Sequence, residues 1–290
     1  MSKHPSNSLL AGEQRGSTYS LVLPRSAMSG AGGRRTAASP GSSLEFRDFR
    51  DYQPGDDLRR IDWGAYARSD RLAVRIYHDE VSPHADIIVD GSRSMALEGT
   101  AKPEAARFLA AFFAAASMNA GCAHKAWICA DGFHEIPGGT GRPAAWGSIE
   151  FHDASAPEDA FHALPPRWRR NGIRIILSDL LWLGDPLALL QMLGDGAAAV
   201  IVVQLLAEAD RSPGARGNVS LVDAETGEEK RIFVDAVAER RYREALEAHQ
   251  QNWFRACRQM GASFVPLTAE PIMNGAGLDA LAAAHVVEVL

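Results

Sequence analysis

An open, doubly wound α/β sheet with mostly parallel strands is the fold this sequence predicts. Three observations carry the prediction. Apolar runs of strand length recur at residues 85–89, 173–177 and 198–205. Helix-like stretches separate them, which is the alternation of a parallel sheet covered on both faces. Two of the runs lead into aspartates, Asp90 and Asp179, and open α/β sheets hold their ligand sites at the carboxyl ends of the strands.

Residues 1–43 are rich in Ser, Gly and Arg, with Glu13 the one acid before Glu45. They read as a flexible arm in which 19–23 form a short docking segment; the composition also resembles an organellar transit peptide. Residues 71–80 alternate, with Leu72, Val74, Ile76 and His78 on one side. They predict an edge strand able to form a hairpin with 86–89. The helix expected over 102–118 is apolar on nearly every side through Phe108, Leu109, Phe112 and Phe113, so it belongs deep in the core. Strand 125–130 turns at Asp131 and Gly132, and 138–141 is a Gly-rich loop. Residues 156–164 form a short helix stopped by Pro165 and Pro166. Strand 173–177 is followed by a helix over 186–193 with Pro186 in its first turn, then by strand 198–205. Residues 219–222 and 231–234 pair as a hairpin around Gly227. A long amphipathic helix fills 238–260 and ends at Gly261. Residues 263–266 are the last core strand and 278–284 a closing helix. The organisation is therefore an arm at 1–43, a segment ending in an edge strand at 44–80, and one α/β domain at 81–290 carrying a small hairpin insertion.

A chain of 290 residues, 46% hydrophobic, buries a large core without disulfide staples. Its net charge of -6 gives no general attraction to nucleic acid or anionic lipid, and the short basic run at 167–170 reads as a solvated turn. Cys122, Cys129 and Cys257 are scattered with no Cys-x-x-Cys pair, which argues against a structural zinc site and suits a reduced, cytoplasmic compartment. No stretch reaches the roughly 20 uncharged apolar residues of a membrane span.

The chemistry concentrates at Asp90-Gly91-Ser92-Arg93-Ser94, on a strand-to-helix loop. One carboxylate and two hydroxyls are hard oxygen ligands suited to Mg²⁺ or Mn²⁺. Asp179, at the end of another strand, can approach Asp90 in a doubly wound sheet, and two close carboxylates call for a cation or a proton between them. The same residue types also cap helices, so a purely structural role stays open. Asp90, Ser92, Ser94 and Asp179 resemble the metal-ion-dependent adhesion site of von Willebrand factor A domains. That resemblance implies a sheet of von Willebrand A type, serines that ligate Mg²⁺ directly, aspartates acting through water, and a middle-loop threonine, for which Thr140 is the candidate. It also implies an open coordination position taken by a partner's Glu or Asp.

A second resemblance lies upstream. The block from Arg50 through Tyr52, Gly55, Asp56, Asp57, Arg59, Asp62 and Trp63, followed by Arg68, resembles the signature of the bacterial domain-of-unknown-function family fifty-eight. Residues 221–227 resemble a further segment of that family. The resemblance implies the short soluble type of member, and an adaptor or co-chaperone working with a MoxR-type AAA+ ATPase. Read physically, the block is a turn with mutually pairing charges and a Trp63 anchor: a structural clamp, a partner surface, or a second acidic site. No nucleophile elbow and no phosphate-binding lysine loop is present. The expectation is metal-assisted protein binding and not catalysis; the alternative is a Mg²⁺-dependent phosphoesterase or other metallohydrolase using Asp90 and Asp179.

Overall fold

The computed structural model describes residues 5–24 and 44–290, apart from 55, 57, 59, 60, 70, 80–82, 213 and 215. The chain forms two compact units, one of Met28–Ser82 and one of Met1–Ala27 with Pro83–Leu290.

The larger unit is built on a six-stranded sheet. Its strands are β4 (His84–Asp90), β5 (Ala123–Cys129), β6 (Phe133–Glu135), β7 (Ile173–Ser178), β8 (Ala199–Leu206) and β11 (Ser263–Thr268), in the order β11-β8-β7-β4-β5-β6. Every pairing is parallel except that of β6 with β5. The expected mostly parallel α/β sheet is therefore present. Alternate residues of each strand supply the two covering layers. Ala85, Ile87, Val89, Ile173, Ile175 and Leu177 face one core, and Ile88 and Ile176 face the other. Helices α4 (Pro157–Ala163), α5 (Pro186–Gly194) and α6 (Ala236–Met260) cover the second face, where Leu189, Leu190, Leu193 and Trp253 are buried.

On the first face lies α3 (Lys102–Asn119), buried on nearly every side as its composition requires. Its outer side is covered by a helix that composition did not announce, α1 (Pro5–Gly16), within the stretch expected to be a flexible arm. Arginines, serines and glycines gave this stretch the look of a disordered segment. Two of those glycines are instead close-packing contacts. A Cβ on Gly12 would lie 2.2 Å from Phe108 O, and one on Gly16 would lie 2.4 Å from Phe112 O. Glu13 then accepts two hydrogen bonds from Arg142 and one from Ala144 N, and these hold its carboxyl below the ordinary range despite the opposing effect of burial. The anticipated docking segment is β1 (Tyr19–Leu21), antiparallel to β12 (Val287–Val289).

The smaller unit pairs β2 (Leu44–Asp51) with β3 (Ala73–Asp79) and holds α2 (Trp63–Ser69) between them in sequence. β3 was expected at the edge of the main sheet, hairpinned to 86–89. It pairs with β2 instead, because an antiparallel partner of matching length stands upstream of α2. Arg50 grips Asp56 through its two terminal guanidinium nitrogens at 2.7 and 2.6 Å, Tyr52 N reaches Leu72 O at 2.8 Å, and Asp62 caps α2 through Ala65 N at 2.9 Å. Trp63 was expected to anchor this segment; it is 60% exposed and meets Tyr66 edge-on. Arg68 sits in the last turn of α2. The signature residues Gly55, Asp57 and Arg59 lie outside the described residues.

Gly12→Val would drive a branched side chain into the Phe108 carbonyl. It is expected to lower stability by about 1–3 kcal/mol in urea unfolding, the range typical of overpacked contacts.

Candidate functional site

Strand register brings the site together. One step beyond the Val89↔Leu177 pairing, Asp90 stands level with Ser178, and Ser178 pairs with Gln204 of β8. Three neighbouring strands thus contribute to a polar row at the carboxyl edge, where β4 and β7 end and their loops diverge.

Asp90 lies at the centre and is 2% exposed. Its Oδ1 accepts from Ser92 N at 2.9 Å, and its Oδ2 accepts from the Ser178 hydroxyl. Burial, then the charge of Asp179, pushes the Asp90 carboxyl up to about 6 against those hydrogen bonds. Ser92 Oγ and Ser94 Oγ share a hydrogen bond at 3.0 Å beside it. A backbone contact from Gly91 N to Cys129 O at 2.7 Å holds the loop against β5, and a Cβ on Gly91 would meet that same carbonyl at 3.0 Å.

Asp179 is adjacent, but its partner is one the sequence reading did not foresee. Lys102, in the first turn of α3 and 0% exposed, places Nζ 3.0 Å from Asp179 Oδ2 and 2.7 Å from Asp210 Oδ2. Burial alone would lower the Lys102 ammonium; Asp179 and then Asp210 overcome it and hold its pKa above the ordinary value. A signal for this lysine did exist. A cation in the first turn of a helix opposes the helix dipole, so a lysine there, in an otherwise apolar helix, calls for acidic compensation.

The loop after β7 is held from several sides. Ser178 Oγ accepts from Leu180 N at 3.0 Å and Asp179 Oδ1 from Leu181 N at 3.1 Å. Gln204 Nε2 donates to Asp179 O at 3.0 Å, and His249 Nε2 donates to Leu180 O at 2.6 Å. Leu180 is buried at φ 60, a left-handed conformation that a branched side chain adopts at a cost of about 1–3 kcal/mol. Strain held by so many restraints is characteristic of functional loops.

Thr140, the candidate middle-loop ligand, is elsewhere. The 138–141 loop runs beside the first half of β5, with Gly139 O accepting from Ala126 N and Gly141 O facing His124 Nε2 at 3.1 Å. Thr140 shares a cavity there with His84 and Ala123, at the amino ends of β4 and β5 and roughly 20 Å along β4 from Asp90. The reason is β6: by running antiparallel to β5 it carries the chain back to the opposite edge. The middle segment that does reach the crest is 152–155. Asp153 bridges to Ser92, its N–H donating to Gly91 O at 3.1 Å and its carbonyl accepting from Arg93 N at 2.9 Å. The sequence spacing Asp153-Ala154-Ser155 was its signal.

Cys129, level with Asp90 in the register, is one of three buried free thiols. Burial, then Asp90 and Asp153, raises its pKa well above the ordinary range, and burial raises those of Cys122 and Cys257 to about 12.

Fold and crest together define a doubly wound α/β protein with an oxygen-lined carboxyl edge. The chain belongs to the family described as protein of unknown function DUF58, whose model matches residues 48–252. It is 29% identical over 247 residues to the uncharacterized proteins Mb1516 of Mycobacterium bovis and Rv1480 of Mycobacterium tuberculosis, across 80% of this chain and 76% of each relative. Among solved structures it is similar to a conserved hypothetical protein BatB from Bacteroides thetaiotaomicron, at 10% identity and a TM-score of 0.35, covering 70% of this chain and 98% of that one. It is also similar to an aerotolerance-related membrane protein from Bacteroides fragilis, at 13% identity and a TM-score of 0.32, covering 60% and 99%. Scores this low establish neither a shared fold nor a shared role. Among the described residues no helix is long and apolar enough to cross a membrane.

Lys102→Met would leave Asp179 and Asp210 buried without their cation; a loss of about 3–5 kcal/mol is expected in chemical denaturation. A pH effect follows from Asp90. Between its ordinary value of 3.8 and about 6, the folded chain holds more protons at this carboxyl than the unfolded chain does. Its contribution to stability therefore falls as pH rises through that window. With divalent ions chelated, Asp90→Asn should be more stable than the native chain at pH 7.5, by up to about 3 kcal/mol. The gap should close as pH falls toward 4, as read from melting curves.

Proposed function

We propose that this crest is a divalent-cation site of von Willebrand A type, through which the chain grips a carboxylate on a partner protein. The observation that carries the reading is the pair of serine hydroxyls 3.0 Å apart beside Asp90. Cis oxygens of an octahedral Mg²⁺ shell stand about 3 Å apart, given metal–oxygen bonds of about 2.1 Å. The residues fit such an ion. Asp90 is desolvated and raised toward neutrality, the state of a carboxylate that gains from a nearby cation. Ser92 and Ser94 would ligate directly, and Asp90 and Asp179 would act through water. When bound, Mg²⁺ or Mn²⁺ would supply positive charge for an incoming carboxylate.

Lys102 makes that charge available. Lys102, Asp179 and Asp210 together carry a net -1, and Asp90 adds another -1 when ionised. The two serines are neutral, so a divalent ion would keep much of its attraction for a partner's acid. The same commitment of Asp179 to Lys102 weighs against a phosphoesterase, which would need Asp179 as a free ligand or base. The partner class follows from the family resemblance: a MoxR-type AAA+ ATPase, for which this chain would serve as adaptor or co-chaperone.

Titration calorimetry tests the site. One-site uptake of Mg²⁺ or Mn²⁺ at millimolar concentration or below is expected in the native chain and in Thr140→Ala. Uptake should be lost in the Ser92→Ala/Ser94→Ala double variant and reduced at least tenfold in Asp90→Ala. Absence of uptake in the native chain would end the reading.

A further inference from the structure

The hairpin of β9 (Gly217–Val222) and β10 (Glu229–Val234) stands apart from the six-stranded sheet. Among the described residues its strands pair only with each other, and Leu221, Val222 and Phe233 are exposed. Its tip nonetheless returns to the crest. Glu225 Oε1 accepts from Ser94 N at 3.0 Å, and Oε2 accepts from Arg93 N at 3.2 Å, an N–H shared with Asp153 O. Arg93 answers with its side chain: Nη1 donates to Glu225 O at 2.6 Å, and Nε to His152 O at 3.0 Å.

The tip is shaped to hold this glutamate. Asp223 Oδ1 accepts from Glu225 N at 3.0 Å and Thr226 N at 2.7 Å, Thr226 Oγ1 accepts from Glu228 N at 3.2 Å, and Gly227 at φ 75 closes the turn. From residue 220 to 231 every side chain is exposed except that of Glu225, which is half-buried. The tip therefore contributes little to the core, and among the described residues its hydrogen bonds to the body run through this carboxylate and the Glu225 carbonyl.

We infer that Glu225 is the chain's own carboxylate for the crest loop, seated on the Arg93 and Ser94 amides beside the proposed cation position, and that a partner's carboxylate must displace it. The inference rests on the carboxylate-binding reading above and names what that reading lacks, the partner's chemistry and the control of access. The displacing segment would carry a Glu or Asp on an extended loop, with its carboxylate on Ser94 N and Arg93 N and its main-chain carbonyl on the Arg93 guanidinium. A ligand tethered in the same chain acts at an effective concentration of order millimolar, so a free carboxylate competes poorly while the tip is docked. Gly214 at φ 74 and Gly217 at φ 106 stand at the base of the hairpin, in backbone conformations that favour glycine.

The test uses the full chain in Mg²⁺ buffer as native, Glu225→Ala and Glu225→Gln, followed by backbone-amide NMR and hydrogen exchange. The probe is the capped peptide acetyl-Asp-Ala-Glu-Thr-Gly-amide, which copies residues 223–227, with a Gln-containing copy as control. Exchange at the Ser94 amide should quicken at least tenfold in Glu225→Ala, while the Arg93 amide keeps its bond to Asp153 O. The peptide should shift those two resonances in both variants at concentrations at least tenfold below those needed on the native chain, and the Gln copy should not. Unchanged exchange overturns the inference, as does a peptide that shifts all three proteins equally or none. Exchange is measured without reference to metal uptake, so a chain that takes up no Mg²⁺ yet loses protection in Glu225→Ala would refute the cation reading while leaving the docked tip in place.

Discussion

A buried ammonium between two carboxylates governs the geometry of this protein's crest. Lys102 comes from the start of α3, Asp179 from the loop after β7, and Asp210 from the turn after β8. Three segments far apart in sequence are thereby fixed to one point. Isolating any of these charges from water would cost several kcal/mol, so the three are stable only as a set. The set also stands at the end of a restrained chain: Gln250 donates to Gln204, which donates to Asp179 O, so α6 on one face of the sheet is coupled to α3 on the other.

That constraint divides the acidic oxygens of the crest into two classes. Asp179 and Asp210 are paired from within, sharing one ammonium. Asp90 is not: its partners are a backbone N–H and a hydroxyl, and its pKa rises instead. The unresolved electrostatic demand of the fold therefore sits at Asp90, beside the two serines whose oxygens face one another. A site that binds a cation through neutral hydroxyls, with one under-compensated carboxylate behind, keeps charge for a further anionic ligand. Glu225, on a separate hairpin, is an anionic group of that kind and reaches the same loop.

Much of the main sheet was legible in the sequence because its strands are short apolar runs and its helices have clear starts and stops. Asp90, Ser92, Ser94 and Asp179 were legible for a related reason: polar residues that end buried strands have few places to go except the carboxyl edge. Lys102 and Ser178 were harder, since each looks like an ordinary cap or helix-start residue until the strands are placed side by side. Thr140 was misplaced because one short antiparallel strand reverses the edge on which its loop emerges. The α1 helix escaped because small residues that permit close helix contact are also those that mark disordered chain. Glu225 stood out only as part of the family-like segment 221–227, and nothing local tied its carboxylate to the crest, as the partners of that carboxylate are more than 130 residues away.

The three thiols have a consequence of their own. Each is buried and held in its protonated, unreactive form, Cys129 on the sheet beside Asp90 and Cys257 in α6. An alkylating reagent can reach them only when the structure around them breathes. The rate at which each sulfur is consumed is thus a clock for the opening of its own neighbourhood, Cys129 and Cys257 for the face that α6 covers and Cys122 for the other, with no label introduced.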